Sequence, residues 1–137
     1  MQYRKEKSGY WLILGKGEEV KSAIEDFARR KGVKGAKVWG IGAVEGAVLG
    51  YFNKKSKKYE ERAFPGTHEL LSCIGNINED GLHAHMVISG ADFIARGGHM
   101  ISARISVFGE FFILPAKPLC KAEAPEFMLK RIDLEKQ

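Results

Sequence analysis

A chain of 137 residues, 45% hydrophobic and 28% charged, is ordinary for one soluble globular domain with a real hydrophobic core. No apolar run approaches the roughly 20 residues that span a bilayer, the start MQYRKEKSGYW has no apolar signal core, and Cys73 and Cys120 are too few for a disulfide framework. These exclusions lead to the expectation of a cytoplasmic protein with no membrane partner and two buried, reduced thiols, while a net charge of +5 and a pI near 9.2 admit a polyanionic partner without requiring one.

Gly9 to Leu14 is a short apolar run that ends at Gly15 and predicts a first strand. Helical spacing follows over Glu18 to Lys31, where Val20, Ala23, Ile24, Phe27 and Ala28 share one stripe. Glu18 and Glu19 at its start and Arg29, Arg30 and Lys31 at its end complement the helix dipole, and Gly32 suits the position after the C-cap. Arg29 and Arg30 are either a solvated helix terminus or a grip for phosphate. From Ala36 the period becomes that of strands. Lys37–Gly42 and Gly46–Phe52 are predicted as two strands with glycines marking bulges, bends or close backbone approach.

Asn53 to Lys58 reads as a polar hairpin tip carrying Lys54, Lys55, Lys57 and Lys58, the densest basic patch in the chain. It is either a solvated tip that resists edge pairing or a phosphate-contacting finger. Strands are expected near Tyr59–Phe64, Thr67–Gly75, Leu82–Ser89, Gly98–Phe108 and Glu110–Leu114, with Pro65-Gly66 and Glu79-Asp80-Gly81 as turns. Glu126–Leu134 alternates as a last strand, a short helix being the other reading. One helix among many antiparallel strands gives an α+β class: a mostly antiparallel β-sheet with one main α-helix, as a single domain over residues 1–137.

The stretch LHAHMVISGADFIARGGHM, from Leu82 to Met100, holds three of the four histidines. On a strand, His83 and His85 point to the same face. His99 joins them if Leu82–Ser89 and Gly98–Phe108 are neighbours, with Gly97 and Gly98 allowing close approach. Three neutral imidazoles with one coordination position open suit a divalent metal, zinc first. The other reading of an H-x-H pair is hydrogen-bonded core histidines. His68 and Glu69 are adjacent and face opposite ways. Glu69 is the better candidate for the site, as a carboxylate orienting a ligand histidine or acting as a base, against a surface carboxylate; Glu110 is a weaker second.

Taken in order, these motifs resemble the PPC (plants and prokaryotes conserved) domain family. The carriers are the early strand and Glu-opened helix, Trp39-Gly40-Ile41-Gly42-Ala43-Val44, Gly66-Thr67-His68-Glu69-Leu70-Leu71-Ser72, Gly75-Asn76-Ile77, Leu82-His83-Ala84-His85 and Gly97-Gly98-His99-Met100. The resemblance implies an α+β domain that assembles as a homotrimer. It implies that His83, His85 and His99 match histidines of stand-alone prokaryotic members suited to a shared metal. Glu69 matches the Glu of the family's G-x-x-E-[IL]-L-S segment, and His68 falls where the family varies.

Plant members typically lack these histidines and carry an Arg-Gly-Arg-Pro AT-hook, which reads the A·T minor groove. This chain has no AT-hook. The expected function is a DNA-associated or regulatory binding module with a three-histidine metal site, any DNA contact running through Lys54, Lys55, Lys57 and Lys58 or Arg29 and Arg30. The alternatives are a metal-dependent hydrolase with Glu69 as base, and a sensor whose small ligand completes the metal's coordination.

Overall fold

Alternation of buried and exposed side chains carries most of this fold. The computed structural model describes residues 1–118, 120–126, 128–133 and 135. In chain order it has β1 (Gln2–Lys5), β2 (Tyr10–Gly15), the helix α1 (Val20–Arg30), β3 (Ala36–Asn53), β4 (Lys58–Asn78), β5 (Gly81–Ser89) and β6 (Ala95–Pro115). A separate hairpin of β7 (Lys121–Ala124) and β8 (Leu129–Ile132) follows. Every strand pair is antiparallel, so the α+β class with one helix is the class observed.

The main sheet runs β1-β2-β6-β3-β4-β5, and β5 pairs again with β6. That second pairing is possible because β6 is 21 residues long. Residues near its end pair with β2 and with the start of β3, while Ala95 to His99 pair with Ser89 to His85 of β5. Strands β3, β4, β5 and β6 therefore close into a ring. Its inner face buries Val38, Val44, Leu70, Met86, Ile88, Ile105 and Phe111 together with Val20, Ile24 and Phe27 of α1. Full burial of an aliphatic side chain of this size contributes about 1.5–3 kcal/mol.

Local chemistry sets the helix ends. Glu19 is the N-cap, its carboxylate accepting from the backbone N–H of Lys21 (3.2 Å) and Ser22 (2.8 Å). Glu18 lies outside the helix and accepts from the Gly15 N–H instead (2.7 Å). At the other end Gly32 takes φ 67, and the N–H groups of Gly32 and Val33 donate to the carbonyls of Arg29 and Ala28. This is the paired closure that a C′ glycine permits. The helix also anchors β5, since Glu25 Oε1 accepts from the Leu82 N–H at 2.8 Å.

Several expected boundaries are absent. Lys37–Gly42 and Gly46–Phe52 are one strand, as are Tyr59–Phe64 with Thr67–Gly75, and Gly98–Phe108 with Glu110–Leu114. The glycines and Pro65-Gly66 bend these strands at register shifts, such as those at Gly40/Gly42 and Glu45/Ala47, without ending them. Pro65 is tolerated because β5 pairs only with residues 69–78 of β4, leaving the earlier part a free edge that needs no donor there. β1 and β7 were not expected. The strand expected over Glu126–Leu134 is the shorter β8, and residues 127 and 134 of that expectation lie outside the described residues. Cys73 is buried, whereas Cys120 is half-buried rather than enclosed.

Candidate metal centre

In β5, Leu82, Ala84, Met86 and Ile88 face the core, and this alternation turns His83 and His85 outward. His99 of β6 is the register partner of His85, and cross-strand partners share a face. The three rings converge, with centroids 5.5 Å apart for His83–His85, 5.1 Å for His83–His99 and 5.7 Å for His85–His99. One ligand nitrogen from each lies within 4.8 Å of the others. His99 also pairs with Gly50 of β3, where a Cβ would meet the ring of Tyr59 at 3.0 Å, and the Tyr59 ring centroid is 4.9 Å from that of His99. Gly97 and Gly98 serve the same junction. A Cβ on Gly98 would meet the Gly50 carbonyl oxygen at 2.8 Å, and one on Gly97 would meet that of Met86 at 3.2 Å.

The donor set fits a divalent ion. His99 Nδ1 is buried and has no hydrogen-bond partner among the described residues, an arrangement that costs about 1–3 kcal/mol unless a bound group satisfies the nitrogen. Burial, followed by the charges of His83, His85, Lys21 and Lys121, pushes the His99 pKa down to about 4. Burial and then His85, Lys121 and Lys21 also lower that of His83. Both rings are thereby held neutral near pH 7, the state a metal requires. A set of three imidazole nitrogens with a free fourth position is a common zinc arrangement.

Other candidates lie elsewhere. Glu69 is exposed and pairs with Ser89, whereas the residue opposite His85 is Ile74, five positions along β4. At 3.3 Å per residue that separation is about 16 Å. Glu69 does not reach the histidines. It borders a cavity of about 480 Å³ with Glu110, Ile41, Leu71, Val107 and Phe108. His68 is also apart, its Nδ1 3.2 Å from the Gly66 carbonyl oxygen. Among the described residues no carboxylate joins the cluster.

Lys54, Lys55, Lys57 and Lys58 are exposed at the β3–β4 connection. Asn53 Oδ1 fixes that turn by accepting from the N–H groups of Lys55 (2.9 Å) and Ser56 (3.2 Å). Arg29 pairs with Asp26 at 2.7 Å, and Arg30 lies 3.2 Å from the Met1 sulfur. The end of α1 leads into the start of β3 and the lysine tip follows its end, so the 18-residue strand separates the two basic groups.

Sequence reasoning missed a pattern on this face. Lys37, Asn76 and His83 are consecutive register partners across β3, β4 and β5, and Trp39, Ile74 and His85 form the next row. The signal was a set of three i, i+2 pairs, which align only once the register is known.

This chain belongs to the Plants and Prokaryotes Conserved (PCC) domain family, whose model matches residues 1–117. No curated protein matches it significantly. Among solved structures it is similar to a candidate DNA-binding protein from Bacteroides thetaiotaomicron, with 28% identity, 98% of each chain covered and a TM-score of 0.93. A Pyrococcus horikoshii plant- and prokaryote-conserved protein is 26% identical, with 97% of this chain and 96% of that one covered and a TM-score of 0.82. A metal-containing protein from Archaeoglobus fulgidus is 29% identical, with 96% of each chain covered and a TM-score of 0.82.

Proposed function

We propose that this protein is a metal-holding binding module with a DNA-associated or regulatory role, in which His83, His85 and His99 ligate one divalent ion, zinc by preference. The convergence of three imidazoles from two paired strands carries this reading, and the name of the Archaeoglobus fulgidus relative agrees with it. With no carboxylate beside the histidines among the described residues, binding is favoured over hydrolysis. The chemistry such an ion supplies is that of a Lewis acid. The chain's own residues hold it, keep His99 neutral and leave one side of the cluster open to solvent.

Two further parts belong to this reading. The module is a homotrimer, assembled through an exposed apolar face that includes Ile41, Leu71, Val107 and Phe108. Contiguous apolar surface of this kind marks association sites. DNA contact, for which the Bacteroides thetaiotaomicron relative is named, runs through the lysine tip, repeated threefold. The two free cysteines agree with a cytoplasmic location.

Zinc titration against a chromophoric chelator tests the central part. One tight site per chain is expected, lost in His85→Ala and His99→Ala while circular dichroism is unchanged. Equal zinc affinity in these variants would end the proposal.

A further inference from the structure

A groove of about 580 Å³ opens beside His83 and His85, lined by these two with Lys37, Trp39, Ile74 and Asn76 among others. This volume is in the range of small-molecule sites. Its walls differ in chemistry by row. One row places Lys37 and Asn76 beside His83, and the other places Trp39 and Ile74 beside His85. Lys37 makes no ion pair among the described residues. The Asn76 side-chain oxygen accepts from Asn78 Nδ2 at 2.9 Å, while its amide nitrogen donates to no described partner. Trp39 is 44% exposed and Ile74 63% exposed. Trp39 is nevertheless held in place, with its ring centroid 5.2 Å from that of Phe112, which in turn meets Trp11 at 5.1 Å.

Charge decides what fits. A dication held by three imidazoles keeps both its charges. Lys37 adds a further positive charge at the groove. Such a site is completed by an anion rather than by a neutral or cationic ligand. Apolar area on Trp39 and Ile74 rewards a ligand that carries a hydrophobic body as well.

Resting on the metal reading above, we propose that this groove binds a small amphipathic organic anion: Lys37 and Asn76 hold an anionic oxygen group beside His83 and His85, where a bound metal would supply further positive charge, and an apolar body lies on Trp39 and Ile74. The head group is a carboxylate or a phosphate monoester, which share this chemistry.

The test uses the full chain loaded with cobalt(II), whose visible spectrum reports a change in coordination. Phenylacetate and phenyl phosphate serve as the two anionic probes, with acetate and neutral phenylacetamide as controls. Phenylacetate or phenyl phosphate should shift the spectrum at least tenfold more tightly than acetate, and phenylacetamide should not shift it. The stronger of the two identifies the head group. Lys37→Met should weaken the preferred probe about tenfold, and Trp39→Ala should remove its advantage over acetate, each while cobalt loading is unchanged. A normal cobalt spectrum that no anion perturbs, or equal binding of acetate and both larger probes, would overturn the anion site alone. Absence of the cobalt spectrum would overturn the metal reading and this site with it.

Discussion

His99 holds a constrained position, between β5 and β3 with Tyr59 near its ring and a buried nitrogen that no described residue satisfies. Its pKa is pushed down to about 4 in the fold but lies near 6.5 in an unfolded chain. Between those values the unfolded chain binds more protons, so the metal-free protein loses stability as pH falls from about 6.5 to about 4 and levels off below. Urea midpoints of the stripped protein at pH 7 and pH 4.5 should therefore drop more in the wild type than in His99→Gln; equal drops would remove His99 as the cause. Gly75 supports the same site from β4. A Cβ there would meet Ala84 Cβ at 2.7 Å and the His83 carbonyl oxygen more closely still. Gly75→Ala should cost about 1–3 kcal/mol of stability and weaken zinc binding, since β5 must move to admit the methyl. Cys73, whose thiol burial pushes up to about 12, should resist alkylation at pH 8 until the protein unfolds.

At the level of elements, the helix and the histidine-bearing strand β5 are the parts most legible in the sequence. A stripe of five apolar residues and a glycine stop define α1, and strict alternation from Leu82 to Ile88 puts both strand histidines outside. The start of the helix was less legible because Glu18 and Glu19 look alike in sequence, yet one caps α1 and the other holds Gly15. Glu19→Ala should cost about 1 kcal/mol, measurable as a lowered thermal midpoint. Long strands were read as shorter ones because bulges and strand ends use the same residues, glycine and proline. Glu69 was misjudged as a neighbour of the histidines for a related reason. Its separation from them depends on the β4–β5 register, set by pairing between distant segments and invisible in either strand alone.

At the scale of the whole molecule, the histidine cluster, the apolar face and the lysine tip adjoin on one closed sheet: Tyr59, next to Lys58 of the tip, has its ring centroid 4.9 Å from that of His99, and Ile41 of the apolar face lines one cavity with Trp39 and Ile74. Phe108, half exposed at 51%, tests assembly: Phe108→Asp should convert a trimer to monomers by light scattering with the circular dichroism spectrum retained. A trimer that survives the substitution would move the interface elsewhere. DNA binding through the tip should weaken steeply with salt, and replacing Lys54, Lys55, Lys57 and Lys58 with Ala should flatten that dependence. A salt dependence unchanged by these replacements would exclude the tip. The metal centre underlies the account, and metal content tests it most directly. Elemental analysis of protein purified without a histidine tag should find one divalent ion, zinc foremost, per chain, and none in His85→Ala. A wild-type protein that carries no more metal than this variant would contradict the assignment of His83, His85 and His99 as ligands.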